Sequence, residues 1–131
     1  MTLDAIREQV MFQTNNDVDD LPDFMPHLND YINEGYDLLM DAFKGQHIGN
    51  DAGEIPRLEG ANDIPKLPEY AHRALADYGT YMVYRNGNSV KQNRGSVFYS
   101  MFMGVVAQLK YDGGRDASTG KARQFINIYT T

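Results

Sequence analysis

The sequence has no cysteine, and that absence removes the disulfide framework, the thiol nucleophile and the thiolate metal site. Stability must then come from packing or from association, and a cytosolic setting is the default. Long apolar runs are missing as well. The longest, Met101 to Leu109, falls under half of the ~20 residues needed to cross a bilayer. No basic segment followed by an apolar one opens the chain, so neither a membrane span nor a targeting segment is expected. Internal repeats and low-complexity stretches are absent too.

What is present suits a single folded domain spanning 1–131. Its 131 residues, 42% hydrophobic and 23% charged, match an ordinary globular composition and leave no room for two independent cores. The net charge of −6 is unevenly spread: residues 1–63 hold three basic and fourteen acidic side chains, a balance of −11, and residues 64–131 hold nine and four, a balance of +5. A net acidic protein is a poor general binder of nucleic acid, because phosphate affinity comes from lysine and arginine displacing counterions. Local basic patches remain, with Arg85, Lys91 and Arg94 around a helix junction and Lys110, Arg115, Lys121 and Arg123 around a loop. One reading is a solvated rim. The other sets the acidic half of one copy against the basic half of another, since complementary fields steer association and fix register. On that reading Asp19 and Asp20 on one side, and Arg85, Lys91 and Arg94 on the other, are candidate interface residues.

Hydrophobic periodicity predicts a mainly α subunit of four helices. Thr2 caps a short first helix whose Leu3, Ile6 and Val10 share a face, and Thr14-Asn15-Asn16-Asp17 ends it. Leu21, Phe24, Met25, Leu28, Ile32, Tyr36, Leu39 and Phe43 then mark a long second helix. Its regular part starts between Asp23 and Pro26, because Pro22 and Pro26 fit only its first turn, and it stops at Lys44-Gly45. Gly35 inside it costs about 1 kcal/mol relative to alanine, which points to a close helix neighbour there. Residues 1–44 thus hold two helices and 45–66 a long central loop, with Gly49, Gly53, Gly60, Pro56 and Pro65, expected to pack on something or to cover something.

Residues 67–111 read as a helical hairpin. Pro68 suits a first helical position, and Ala71, Ala74, Leu75, Tyr78 and Met82 make a face that ends at Asn86-Gly87. Ser89 with Gln92 has the form of a capping box, restarting the chain as a fourth helix in which Val97, Phe98, Met101, Phe102, Val105, Val106 and Leu109 recur. So short a connection makes the two helices antiparallel, with Tyr78 and Met82 predicted to face Val97 and Met101. Residues 112–131 form a flexible tip, Asp112-Gly113-Gly114 and Ser118-Thr119-Gly120, and a terminal β-strand, 124–130. A lone strand leaves backbone donors and acceptors unpaired. Either a terminal hairpin forms or a neighbouring chain supplies the partner, which adds Phe125, Ile126, Ile128 and Tyr129 to the candidate oligomer interface.

No catalytic, metal or cofactor site is expected. Asn15-x-Asp17-x-Asp19 begins like a calcium loop, yet Asp20 stands where glycine is needed and Pro26 where a bidentate glutamate is needed. His27, His47 and His72 stand far apart; His72, beside Glu69 and Arg73, suits a surface or interface hydrogen bond. Asp37 and Asp41 share a helical face that is ordinarily solvated. Arg85-Asn86-Gly87-Asn88 lacks the glycine spacing of a phosphate loop. Nine tyrosines and seven methionines supply large, adaptable contact area, mostly for the core and in part for an interface.

Several strings resemble the small head-to-tail connector, or adaptor, proteins of long-tailed bacteriophages and prophages. They are Leu3 to Phe12 with Asp19-Asp20-Leu21, then Leu28-Asn29-Asp30-Tyr31-Ile32-Asn33-Glu34-Gly35-Tyr36, Asp63-Ile64-Pro65-Lys66-Leu67-Pro68-Glu69, Tyr84-Arg85-Asn86-Gly87-Asn88 and Gln92-Asn93-Arg94. The long 45–66 segment departs from that pattern. The resemblance implies a mostly helical structural subunit of the virion that assembles into a homo-oligomeric ring below the portal and meets other head-completion or tail proteins. DNA would pass through the ring without specific binding, and the chain would occupy the bacterial host cytoplasm during assembly. It implies no enzyme activity, no cofactor and no membrane. The alternative is a small helical regulatory or binding module that recognises a protein or nucleic acid through Arg85, Lys91 and Arg94.

Overall fold

The computed structural model describes residues 1–14, 25–44, 57–85 and 89–119, and among them the chain is mainly helical, with four α-helices, two 3₁₀ turns and no strand. The expected terminal strand, the acidic turn with Asp19 and Asp20, residues 45–56 and the Asn86-Gly87 turn lie outside the described residues.

Helix α1 runs Leu3–Thr14. Thr2 begins it as expected: its hydroxyl accepts the Ala5 N–H at 3.2 Å and its carbonyl accepts the Ile6 N–H at 2.9 Å. Leu3, Ile6, Val10 and Thr14 form its buried face, and the Thr14 hydroxyl stays satisfied there by donating to the Val10 carbonyl at 2.9 Å. Helix α2, Leu28–Lys44, follows a 3₁₀ turn, Met25–His27, in which Pro26 needs no N–H. Leu28, Ile32, Tyr36, Leu39 and Met40 line its inner face, whereas Asp30, Glu34, Asp37 and Asp41 stand exposed on the outer one.

The described end of the long loop, 57–68, is a strap drawn across α1 and α2. Asn33, buried on α2, treats Leu58 as a strand would: the Leu58 N–H donates to Asn33 Oδ1 at 2.8 Å and Asn33 Nδ2 donates to the Leu58 carbonyl at 3.0 Å. The Tyr36 hydroxyl accepts the Lys66 N–H at 2.8 Å, and burial is the main reason its pKa rises. At the other edge the Leu3 and Asp4 N–H groups, two of the donors left over at a helix start, bond the carbonyls of Asp63 and Ala61 at 2.8 and 3.0 Å. The Asp63 carboxylate accepts the Glu59 and Gly60 N–H groups, which lowers its pKa. The strap therefore packs on the bundle, as its length implied.

Helix α3, His72–Tyr84, follows a 3₁₀ turn, Glu69–Ala71, whose Ala71 N–H bonds the Pro68 carbonyl at 2.9 Å. All of its residues except Arg73 and Tyr81 are buried. Three helices approach it from different sides. Gly79 meets Val10 of α1 and Leu28 and Ile32 of α2; a Cβ at Gly79 would lie 3.1 Å from Val10. Gly35 of α2 sits so close to Tyr78 that a Cβ would lie 3.1 Å from that ring, which supplies the close neighbour its position called for.

Helix α4 runs Ser89–Thr119 and covers the third side of α3. Two expectations are corrected here. Asp112 to Thr119, read as a flexible tip, continue the helix: Gln108 donates to Asp112 at 3.0 Å, one turn back, and the Tyr70 hydroxyl reaches the same carboxylate from the start of the hairpin. The face turned to α3 is also not the one expected. Val97 and Met101 are 58% and 45% exposed, while Phe102 is 1% exposed. The ring contacts run Tyr78–Phe102, Tyr81–Tyr99 and Tyr84–Phe98 at centroid separations of 4.8, 4.7 and 6.3 Å. Gly95 permits the crossing, since a Cβ there would lie 2.9 Å from Tyr84 Cβ. The adjacent pairs Val97-Phe98 and Met101-Phe102 thus each turn the second member toward α3 and leave the first exposed, and pairing in the sequence does not say which.

Candidate functional site

The α3–α4 junction gathers the basic residues that the charge layout singled out. The Arg85 N–H closes α3 on the Tyr81 carbonyl at 3.0 Å, and its guanidinium reaches the Met82 sulfur at 3.4 Å. Gln92, from the first turn of α4, donates to the Arg85 carbonyl at 3.3 Å and so ties the two helices across the turn. Tyr81, Arg85, Gln92 and Gly95 line an open cleft of about 290 Å³. Lys91 and Arg94 stand one turn apart near the start of α4, Lys91 half-buried and Arg94 exposed. A guanidinium, an amide and a phenol offer hydrogen bonds to an acidic group. They do not pair a nucleophile with a base.

Two polar clusters that sequence reasoning missed lie inside the bundle. At the α1–α3 contact Gln13 donates to Asp77 Oδ1 at 3.1 Å and accepts from the Thr80 hydroxyl at 2.6 Å, and the Tyr84 hydroxyl donates to the Gln13 carbonyl at 3.3 Å. Burial raises the Asp77 pKa, partly offset by the Gln13 hydrogen bond and the charge of Arg73. A buried carboxyl with a raised pKa is a candidate proton donor in general. Here its site is closed by α1, so it serves as a joint between helices. Tyr78 is similar, donating to Glu34 of α2, with burial and that contact both raising its pKa.

The second cluster corrects the expectation for His72, which is 2% exposed. Its Nδ1 accepts from the Met1 ammonium at 2.7 Å and its Nε2–H donates to the Leu67 carbonyl at 2.9 Å, a pattern that fixes the tautomer. The same ammonium meets Glu69 at 3.1 Å, and this hydrogen bond is the main cause that lowers the Glu69 pKa. The amino terminus, the 57–68 strap and the start of α3 are joined at one point.

On the outside, α1 and α4 each leave apolar surface uncovered, Met11 and Phe12 on α1 and Val90, Val97 and Met101 on α4. Of the candidate interface residues, Arg85, Lys91 and Arg94 come together at the junction; Asp19, Asp20, Phe125, Ile126, Ile128 and Tyr129 lie outside the described residues. Among the described residues no group of histidine, aspartate and glutamate is placed to hold a metal ion, and no helix is long and apolar enough to cross a membrane. Comparison with known protein families, curated proteins and solved structures finds no match to this chain.

Proposed function

We propose that this chain is a structural subunit that works by touching copies of itself, the head-to-tail connector ring of a bacteriophage or prophage being the assembly its sequence resembles. The observation that carries this reading is a pair of unlike exposed faces on one small bundle. Asp4 and Glu8 flank Met11 and Phe12 on α1, and Arg94 flanks Val97 and Met101 on α4. A ring needs two different patches that meet head to tail. The buried polar groups support the same reading, since Asn33, His72 and Asp77 each join two segments of the chain and none opens into the cleft. On this reading the subunit has no enzymatic activity, and DNA passes the assembled ring without specific contacts. The test is native mass spectrometry of the purified chain at high micromolar concentration: discrete higher-order species are expected, and a strict monomer, with or without a portal-type partner, would refute it.

The cleft at Arg85 favours a second reading, a module that recognises an acidic partner or nucleic acid there. Salt-dependent duplex binding that disappears when Arg85, Lys91 and Arg94 become alanine would select it.

A further inference from the structure

The outer faces of α1 and α4 have complementary chemistry along their lengths. On α1, Asp4, Glu8, Met11 and Phe12 are the exposed residues, placed at helical spacing on one side, with Arg7 half-buried at the edge. Phe12 is 76% exposed, more than any other large apolar side chain described. Both acids lie toward the start of α1 and both apolar residues toward its end.

On α4 the exposed row Val90, Arg94, Val97, Met101, Gly104, Gln108 and Tyr111 steps by four and three residues, the repeat of a straight helix-packing seam. Arg94 lies toward its start, followed by the apolar centre, whereas half-buried Lys91 falls in the row of Gly95, Phe98 and Phe102 that faces α3. Gly104 is anomalous. A glycine inside a helix costs about 1 kcal/mol relative to alanine, and Gly35, Gly79 and Gly95 each return that cost by admitting a neighbouring helix. A Cβ on Gly104 would meet nothing within 4 Å. Nothing among the described residues accounts for it, and an incoming side chain or helix would.

We infer that the α1 face of one copy docks on the α4 face of the next. Phe12 and Met11 pack against Val97, Met101 and the open ground over Gly104, and Asp4 and Glu8 meet Arg94. This rests on the assembly reading above and names its two surfaces. Large aromatic and methionine anchors with charged residues around them are the usual composition of such contacts. Because α1 and α4 approach α3 from different sides, each copy offers one free face after every union, so the contact propagates to a closed ring or an open filament.

Two single substitutions of the full chain, Phe12→Glu and Met101→Glu, test the inference by analytical ultracentrifugation. Both side chains are exposed, so each variant is expected to keep the helical circular dichroism of the parent. Each alone is expected to stay monomeric, with association weakened at least about tenfold. Mixed in equal amounts they should form a one-to-one heterodimer and nothing larger, since only one intact α1 face and one intact α4 face remain. A Phe12→Glu variant that still dimerises, with Met101→Glu monomeric and mixing without effect, would mean that α4 pairs with itself and would overturn the inference. Assembly like the parent's in both variants would overturn it while leaving the assembly reading standing, whereas a monomeric parent removes both. Should either glutamate variant lose its helical signal, charge exchange decides instead: Glu8→Lys should weaken association, and adding Arg94→Glu should restore it at low salt. Failure to restore overturns the pairing.

Discussion

The two helices of the hairpin meet water very differently. Helix α3 is packed against α1, α2 and α4, and it buries both large side chains, Leu75, Tyr78 and Tyr84, and small ones, Ala74, Ala76, Gly79 and Thr80. Helix α4 touches the bundle along one side and carries the larger side chains, including Val97, Met101 and Met103 that face outward. Neighbouring helix axes lie about 8–10 Å apart, so a helix with three neighbours has little room for bulk where one of them comes closest. The large residues come in from the periphery, as Phe102 does onto Tyr78 and Leu28 and Ile32 onto Gly79. The innermost helix is therefore marked by burial around nearly its whole circumference, with small residues where a neighbour comes closest, whereas α4 keeps apolar residues on an outer surface as well.

Adjacent residues of α4 give the largest test of that contrast. Phe102→Ala is expected to destabilise the fold by about 3–5 kcal/mol, the range for removing a buried phenylalanine. Met101→Ala should stay within about 0.5 kcal/mol for the isolated subunit. Urea unfolding followed by circular dichroism separates the two, and equal losses would place both side chains in the core.

Enlarging the small residues probes α3 directly. Ala76→Leu forces extra methylenes into a position with no exposure and should cost about 1–3 kcal/mol. Ala107→Leu, on the exposed side of α4, should be close to neutral. The glycines divide in the same way. Gly95→Ala pushes a methyl against Tyr84 and should destabilise by about 1–3 kcal/mol. Gly104→Ala meets open space and should stabilise the monomer by up to about 1 kcal/mol, the helix-propensity difference alone. Thermal midpoints that move in opposite directions for these two substitutions on one helix are the expected result.

The sequence made some of this legible and hid the rest for identifiable reasons. Thr2, Gly35 and the strap's need to pack could be read, because capping, close approach and loop length act locally. The inward face of α4 could not, since apolar residues occur around its whole circumference and periodicity then offers two competing stripes. Asp112 to Thr119 read as a tip from Gly113 and Gly114, whose unfavourable helix propensity is overridden once Tyr70 and Gln108 hold Asp112. His72 looked like a surface group and Asp77 drew no notice, because burial of a polar side chain depends on partners far away in the chain, here Met1 and Gln13. At the junction, Gln92 reads as a capping partner of Ser89, and the cleft it lines with Arg85 was not legible because it depends on Tyr81 and Gly95 facing it.

The smallest expected effect separates the buried carboxyl of α3 from the exposed ones around it. Asp77 has its pKa raised in the fold, so the folded state holds its proton more tightly than the unfolded chain. Its contribution is then fully present below the ordinary value of 3.8 and is lost as pH rises through the folded value. Asp77→Asn preserves an acceptor for the Gln13 amide and removes the titration. The variant should match the parent in acid and become the more stable of the two toward neutral pH. Asp63 has the opposite sign, because its carboxylate is held by the Glu59 and Gly60 N–H groups and its pKa is lowered. Its stabilisation is present above the ordinary 3.8 and is lost as pH falls through the folded value. Asp63→Asn should therefore trail the parent at neutral pH and approach it in acid. Unfolding midpoints at several pH values for the two asparagine variants should diverge from the parent in opposite directions above the carboxylate range. Parallel curves would mean that Asp77 is hydrated and that α1 does not close over α3.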